Sequence, residues 1–322
     1  MAVWAAMAVL AAPALLRAAQ PGKSPVKVFI LAGQSNMEGQ AVVDLDHPKY
    51  YNGGKGILKT VAADPAKAHL YAHLKGTDGK WAVREDVWIS YKTEKSGLKK
   101  GPAGIGFTVY GGKHHFGPEL QFAHVIGELL DNQVLLIKTA WGGKSLYADF
   151  RPPSSGGKVG PYYTKMLAEV REALGDLKKR FPDYDGGGWE LAGFVWFQGW
   201  NDMCTPPAVP EYEQNLVNLI RDVRKEWKAP NLPVVIGELG NGGRPAKGNM
   251  LAIRKAQAAA AARGELGGKV LFVKTAEFAR PARQSPNVGH GHHWFGNAES
   301  YFLIGDALGK GMKKLLANAA KE

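Results

Sequence analysis

Five short apolar runs, separated by longer stretches of chain, are the feature that most constrains the fold. The runs are rich in Val, Ile, Leu and Phe and lie at 26–32, 133–139, 191–197, 234–238 and 270–274. Amphipathic stretches with a helical period lie at 118–130, 161–181, 211–227, 247–262 and 298–316. Uninterrupted apolar runs are typical of parallel strands that are buried on both faces. Their alternation with helices predicts a doubly wound α/β sheet of five parallel strands.

The segment from about 44 to 116 breaks this alternation. It is rich in Gly and Lys and contains short alternating pieces such as 86–91. This pattern predicts an insertion of loops and antiparallel strands. The sequence contains no internal repeat and no low-complexity tract. We therefore expect a single domain over 26–318 with an insertion at about 44–116.

The charge balance narrows the choice of partner. Lys and Arg number 41 against 29 Asp and Glu, which gives a formal net charge of +12. Such a surplus suits an acidic partner such as nucleic acid or an anionic polysaccharide. The basic residues are spread along the chain, with only short clusters at 99–100 and 178–180, so we expect a solvated surface and no nucleic-acid partner. The single cysteine, Cys204, excludes an intrachain disulfide and any site built from two cysteines.

The first sixteen residues carry no charge and are followed by Arg17 and two alanines. An apolar segment that ends in small residues is typical of a secretory signal peptide, although the usual positive residues before it are missing. A buried N-terminal helix is disfavoured because Pro13 lies inside the segment. We therefore expect a signal peptide over 1–19, a secreted or periplasmic protein, and no stable membrane insertion once the segment is removed.

Polar, glycine-rich motifs follow the predicted strands. They are GQSNM at 33–37, WGGKS at 141–145, QGWND at 198–202 and GHGHHW at 289–294. In an open α/β sheet, ligands bind at the carboxyl ends of the strands, so these motifs converge on one edge. Together they provide a hydroxyl, histidines and hydrogen-bond donors, which are the groups that nucleophilic acyl transfer requires.

Other classes of site receive no support from these motifs. The run Gly-Lys-Ser at 143–145 matches the end of a phosphate-binding loop, but Lys138 stands where that loop requires glycine. Ser35 does not lie in a GxSxG turn, because Met37 stands at the second glycine position. The histidines of 289–294 have no cysteine or carboxylate close in sequence, so we expect no metal.

The strand and motif at 28–37 resemble the nucleophile block of the sialate O-acetylesterase domain, which belongs with carbohydrate esterase family six in the SGNH hydrolase superfamily. The similarity continues at 139–143, at 196–199 and over 293–305. It spans nearly all of the chain after the first 19 residues. The resemblance implies a flavodoxin-like three-layer α/β sandwich, a Ser–His mechanism without a cofactor, and removal of O-acetyl groups from sugars.

The resemblance also implies roles for individual residues. Ser35 matches the nucleophile, and its own N–H would donate to the oxyanion. Gly143 matches the second backbone donor. Gln198 or Asn201 would supply a donor from its side chain.

The sequence offers more than one candidate for the base and for the group that orients it. The resemblance over 293–305 places the family histidine on His293, with His292 as the alternative. Relatives tend to carry Asp three residues before this histidine, but no acidic residue lies within the fifteen positions before His293. Asp202 is our first choice for the orienting acid and Glu238 our second. A Ser–His dyad oriented by a backbone carbonyl is the third possibility.

Three of the motifs contain a tryptophan: Trp141, Trp200 and Trp294. Trp200 stands where relatives commonly carry Glu. Tryptophan side chains are usually buried, which favours core packing. A stacking surface for a sugar ring is the other expectation for residues at this edge of the sheet.

We therefore predict a carbohydrate O-acetylesterase that acts on an acetylated glycan without a cofactor. Sialic acid, xylan and sulfated or other plant and algal polysaccharides stay open as its substrate, and so does its oligomeric state. One alternative is a non-catalytic carbohydrate-binding protein on the same fold, which the missing acid favours. The other is an SGNH lipase- or thioesterase-like hydrolase, which would prefer a long-acyl ester.

Overall fold

The computed structural model describes residues 24–319, and the predicted signal peptide over 1–19 lies outside the described residues. Within this range the strands are β1 (Val26–Gly33), β2 (Ala41–Val42), β3 (Arg84–Thr93), β4 (Gly97–Ala103), β5 (His115–Phe116), β6 (Val134–Ala140), β7 (Trp189–Phe197), β8 (Val234–Gly237) and β9 (Val270–Val273). The α-helices are α1 (Ser35–Glu38), α2 (Leu58–Val61), α3 (Ala68–Tyr71), α4 (Glu119–Gly127), α5 (Pro161–Gly175), α6 (Leu177–Arg180), α7 (Trp200–Met203), α8 (Tyr212–Glu226), α9 (Gly248–Ala261) and α10 (Ala298–Ala319). None of the helices within 24–319 combines the length and the apolar character that a membrane span requires.

Seven of the strands form one sheet in the order β4-β3-β6-β1-β7-β8-β9. All neighbours in this sheet are parallel except β4, which runs antiparallel to β3 at one edge. Strand β1 lies between β6 and β7, so the sheet extends from β1 in both directions. A doubly wound sheet of this kind opens a crevice at the carboxyl ends of its central strands.

The five predicted strands and the five predicted helical stretches are confirmed, each strand to within two residues. The stretch predicted at 161–181 is divided into α5 and α6. The prediction of five strands in the sheet is wrong, because β3 and β4 from the segment 44–116 extend it to seven. Strand β3 begins with the charged residues 84–86 and pairs with β6, which is distant in sequence. A local pattern of apolar residues gives no information about the pairing of two strands that are distant in sequence.

Side chains of β1 alternate between two hydrophobic cores. Phe29 and Leu31 face a core shared with α4 and α10, whereas Val28 and Ile30 face a core shared with α5, α8 and α9. Successive side chains of a strand point to opposite faces, so a central strand with helices on both sides is apolar throughout. This arrangement confirms the predicted three-layer α/β sandwich.

Candidate active site

Ser35 lies at the carboxyl end of the central strand, at the first position of the short helix α1. Gly33 precedes this turn, and a Cβ at that position would lie 2.1 Å from the carbonyl oxygen of Phe197 at the end of β7. Glycine therefore allows β1 and β7 to approach closely just before the serine. Ser35 is 9% exposed, so the residue is largely buried at the carboxyl end of β1.

The loop after β6 lies directly against this serine. A Cβ built on Gly142 would lie 3.7 Å from the Cβ of Ser35. Gly143 has a φ of +73°, a left-handed conformation that favours glycine. Its carbonyl oxygen accepts a hydrogen bond from Nδ2 of Asn201, at 2.8 Å. The structure therefore brings together Ser35, Gly143 and Asn201, as expected for residues that follow neighbouring parallel strands.

Gln198 and Asp202 form a buried network beneath this loop. Oδ2 of Asp202 accepts hydrogen bonds from the N–H of Leu146 at 2.9 Å and from Nε2 of Gln198 at 2.5 Å, and Oδ1 accepts one from the N–H of Tyr147 at 2.9 Å. Nε2 of Gln198 also donates to the carbonyl oxygen of Lys144, at 3.0 Å. Both amide hydrogens of Gln198 are thus engaged, so Gln198 supports the loop and is not free to donate to an oxyanion.

The two acids proposed to orient the histidine have other partners. Asp202 is 0% exposed, and burial raises the pKa of its carboxyl to about 6 despite the hydrogen bonds from three donors. Oε2 of Glu238 accepts hydrogen bonds from the backbone N–H groups of Thr275 and Ala276, at 2.7 and 2.8 Å. Neither carboxylate therefore has the predicted role of orienting the histidine. Asp202 binds the 144–147 loop, and Glu238 binds the turn after β9.

The three neighbouring histidines lie on a 3₁₀ segment, Gly291–Gly296, and just before it. The N–H of His293 donates to the carbonyl oxygen of His290, at 2.9 Å. Trp294 and Phe295 follow with φ values of +53° and +54°, which are strained for residues with a side chain. Within residues 24–319, no group of three or more histidine, cysteine or carboxylate side chains has the arrangement of a metal site.

Two asparagines join this histidine loop to the turn that carries Ser35. The carbonyl oxygen of His292 accepts hydrogen bonds from Nδ2 of Asn36 at 3.0 Å and from Nδ2 of Asn241 at 3.1 Å. The hydroxyl of Tyr301 donates to Oδ1 of Asn36, at 2.6 Å. Sequence reasoning assigned no role to these three residues, and the position of Asn241 just after β8 was the one signal available for it.

The environment keeps the imidazoles of His292 and His293 uncharged at neutral pH. Burial, together with His292 and His290, lowers the pKa of His293 to about 4. Burial and His290 also lower the pKa of His292. Among the described residues, no hydrogen bond joins Oγ of Ser35 to an imidazole; such contacts are often long before substrate binds. An uncharged imidazole has the protonation state that a general base requires.

A buried ion pair supports the serine turn from below. Nζ of Lys138 lies 2.8 Å from Oε2 of Glu119, and both side chains are 0% exposed. The same Nζ donates to the carbonyl oxygen of Glu38 at 2.9 Å, at the end of α1. The Glu38 carboxyl accepts a hydrogen bond from the N–H of Gly142, and burial raises its pKa. Lys138 and Glu38 therefore tie α1 to the glycine loop, a function that the sequence motifs did not indicate.

The three motif tryptophans occupy different environments. Trp141 is 1% exposed and Trp294 is 2% exposed, each within a hydrophobic core. This burial leaves neither ring available to a sugar and corrects the expectation of a stacking role for them. Trp200 is half-buried, and its ring centroid lies 5.7 Å from that of His292. The expectation of a stacking surface therefore rests on Trp200.

Replacement of Asp202 by asparagine tests the role that its hydrogen bonds indicate. We expect Asp202→Asn to lower kcat by less than about tenfold, because the carboxylate contacts the 144–147 loop and not an imidazole. Initial rates of aryl acetate hydrolysis would measure the change. A loss of about 10²–10⁴-fold would instead indicate that Asp202 orients the histidine.

Comparisons with known proteins agree with this architecture. A probable carbohydrate esterase of Arabidopsis thaliana is 24% identical over 223 residues, which are 68% of this chain and 71% of the plant protein. A crystal structure of an Arabidopsis thaliana protein superimposes with a TM-score of 0.55 and 19% identity over 90% of this chain and 99% of that one.

Two further solved structures share the fold. A carbohydrate acetylesterase from Xanthomonas citri gives a TM-score of 0.55 at 15% identity, over 91% of this chain and 56% of that chain. The structure of NanS gives a TM-score of 0.53 at 14% identity, over 93% of this chain and 99% of that chain. At these levels of identity, the superpositions show a common fold.

A family model provides the stronger match. The model described as carbohydrate esterase, sialic acid-specific acetylesterase, matches residues 25–284. The match includes the turn at Ser35, the glycine loop at 142–143 and the motif at 198–202, and it ends before the histidine loop. The chain therefore belongs to the carbohydrate esterase family of sialic acid-specific acetylesterases.

Proposed function

We propose that this protein is a serine esterase that removes acetyl groups from the hydroxyls of a glycan, with Ser35 as nucleophile and His293 as general base. The observation that carries the proposal is the direct hydrogen bond from Asn36, the neighbour of Ser35, to the carbonyl of His292, the neighbour of His293. The family match to acetylesterases supports the acetylated carbohydrate as substrate.

In the first half of the proposed reaction, Oγ of Ser35 attacks the acetyl carbonyl carbon and His293 accepts the serine proton. The negative charge that develops on the carbonyl oxygen is stabilised by the N–H groups of Ser35 and Gly143, with the side-chain amide of Asn201 as a third donor. Collapse of this intermediate breaks the ester bond, and the sugar oxygen leaves with the proton from His293. The product of this half is an acetyl ester on Ser35.

In the second half, His293 removes a proton from water, and the resulting hydroxide attacks the acetyl-serine. The same donors stabilise the second oxyanion, and its collapse returns the proton to Oγ and releases acetate. The half-buried ring of Trp200, whose centroid lies 5.7 Å from that of His292, is the proposed stacking surface for the sugar. The net charge of +12 favours an anionic glycan.

Acetate release across a panel of substrates tests this proposal. The panel contains O-acetylated sialic acid, acetylated xylan, an acetylated sulfated polysaccharide, an aryl acetate and an aryl ester of a long acyl chain. We expect hydrolysis of the acetyl esters, with the acetylated anionic glycans as the best natural substrates. If the folded protein hydrolyses none of them and binds a glycan, it is a binding protein; a preference for the long-acyl ester would indicate a lipase-like enzyme.

The low pKa of His293 predicts an unusual pH dependence. The base functions in its neutral form, which persists down to its pKa of about 4. We therefore expect kcat/KM for an aryl acetate to fall only as the pH drops through about 4, whereas an ordinary histidine has a pKa of about 6.5. Asp202, with its pKa of about 6, is a second group that titrates in this range. A fall at pH 6 or above in both the wild type and Asp202→Asn would contradict the prediction.

We also propose that the protein is exported, to the periplasm or the medium. The uncharged, alanine-rich segment over 1–16 and the small residues at 18–19 support this proposal. Amino-terminal sequencing of the protein recovered outside the cytoplasm should begin near residue 20. Recovery of the uncleaved chain from the cytoplasm alone would contradict export.

A further inference from the structure

We propose that Asn36, Asn241 and Tyr301 form a clamp that positions His293 against Ser35 through the backbone, in place of an acid on the imidazole. The three residues are called the amide clamp below. The inference rests on the proposed function, because it takes Ser35 as the nucleophile and His293 as the base.

The first step in the argument is the carbonyl of His292. Its oxygen accepts hydrogen bonds from Nδ2 of Asn36 and Nδ2 of Asn241, at 3.0 and 3.1 Å. A carbonyl oxygen has two lone pairs, so these two bonds complete its usual capacity. The peptide unit between His292 and His293 is thereby held in both position and direction. Since that unit carries the Cα of His293, the imidazole starts from a point fixed relative to the serine turn.

The second step is the orientation of Asn36 itself. Tyr301, on α10, is 0% exposed, and its hydroxyl donates to Oδ1 of Asn36 at 2.6 Å. The same hydroxyl lies 3.4 Å from the carbonyl oxygen of His293. Because Oδ1 of Asn36 faces the tyrosine, Nδ2 faces His292. The helix α10 thus helps to set the distance between the nucleophile turn and the histidine loop.

The third step is the conformation of the loop that the clamp holds. Trp294 and Phe295 are both left-handed, and such residues persist only where the surroundings hold them in place. Asp202 and Glu238 bind other parts of the chain, and no acidic residue lies within 278–292. The hydrogen bonds to the loop backbone, together with the burial of Trp294 in the core, are therefore the contacts that hold the loop next to the serine turn.

Asn241 provides an independent sign of this role. It is 1% exposed, and its Oδ1 has no hydrogen-bond partner within the part of the chain that the structure describes. It lines a cavity of about 10 Å³ together with Gln34, Asn36 and Trp200, next to the serine turn. Burial of an unpaired amide oxygen is unfavourable. The hydrogen bond from Nδ2 of Asn241 to the carbonyl oxygen of His292 offsets part of this unfavourable free energy.

Tyr301→Phe and Asn241→Leu test the clamp, because each removes one hydrogen bond and retains most of the side-chain volume. We expect kcat for an aryl acetate to fall by about 10- to 100-fold with KM nearly unchanged, since small displacements of a catalytic group have effects of this size. Besides burial, His292 and His290 of the same loop lower the pKa of His293. From α10, the hydroxyl of Tyr301 lies against the carbonyl oxygen of His293. Release of His293 towards water should move the acid limb of the pH profile up from about 4 towards the ordinary value of about 6.5.

Tyr184→Phe is the matched control. Tyr184 is also a buried tyrosine, and its hydroxyl accepts a hydrogen bond from the N–H of Gly188 at 2.9 Å, before the start of β7. Gly188 thus lies at the amino-terminal end of β7, whereas Ser35 lies beyond the carboxyl end of the parallel strand β1. We expect the control to keep the kcat and the pH profile of the wild type.

His293→Ala separates the two proposals. If His293→Ala keeps its activity, His293 is not the base, and the proposed function is wrong in that assignment. If His293→Ala is inactive while Tyr301→Phe and Asn241→Leu keep the kcat and acid limb of the wild type, the amide clamp is wrong and the proposed function stands. A lower kcat with an unmoved acid limb would also overturn the clamp, because a general loosening of the structure explains it. Tyr301→Phe decides the question alone if Asn241→Leu does not fold.

Discussion

Replacement of Ser35 by alanine is expected to lower kcat by about 10³-fold or more, because the attacking oxygen is lost. The fold should not change. The backbone carbonyl of Ser35 accepts hydrogen bonds from the N–H of Gly39 and from Nε2 of Gln40, at 3.1 and 3.0 Å, and alanine retains both. Rates of acetate release and of aryl acetate hydrolysis, with the midpoint of thermal unfolding, would measure the two effects separately.

Ser90→Ala is a suitable control for that variant. Ser90 is a buried serine on β3, and its hydroxyl accepts a hydrogen bond from Arg180 at 2.7 Å. We expect this variant to retain activity close to that of the wild type, even if its stability falls slightly. Near-full activity in a folded Ser35→Ala protein would exclude the proposed serine mechanism.

His293→Ala is expected to lower kcat by a similar factor, on the order of 10³-fold or more, since no base would accept the serine proton. The chain offers two matched controls on the same loop, His290→Ala and His292→Ala. His290 is exposed, and its hydrogen bonds within the loop are made by its backbone, which alanine retains. His292 is bound by the amide clamp through its carbonyl oxygen, which alanine retains. We expect both controls to be milder than His293→Ala.

The three histidine variants also test the assignment of the base. Aryl acetate hydrolysis would be measured for each at neutral pH, where the imidazole of His293 is neutral. A severe loss in His292→Ala with little effect in His293→Ala would show that the base is His292. The ring centroids of these two residues are 4.0 Å apart, so the exchange would leave the rest of the site as described.

The predicted parts of the fold are those encoded by a local pattern. Apolar runs such as 133–139 and 191–197 were sufficient to predict β6 and β7, because a strand buried on both faces is apolar at every position. Strand β3 was predicted as part of an insertion, since it lies in a segment that is rich in Gly and Lys and has only short alternating pieces. Its place in the main sheet depends on pairing with β6, a contact between distant parts of the chain.

Part of the candidate site could also be predicted from the sequence. Ser35, Gly143 and Asn201 were predicted as one group because parallel strands place the residues after their carboxyl ends at one edge. The roles of Asp202 and Trp141 could not be predicted in this way. Both residues follow strands whose carboxyl ends lie at this edge of the sheet. The carboxylate of Asp202 nevertheless accepts three hydrogen bonds beneath the 144–147 loop, and the ring of Trp141 packs in the core.

The sequence by itself thus determined the alternation of strands and helices, the edge at which the polar motifs gather, and the serine turn, because each depends on neighbours along the chain. Only the tertiary structure decided which partner each polar side chain binds. Tyr301 and Asn36 are separated by 265 positions and lie 2.6 Å apart between Oη and Oδ1. A hydrogen bond of this kind depends on the packing of α10 against the sheet, and periodicity in the sequence specifies the buried face of a helix but not the partner of an individual hydroxyl.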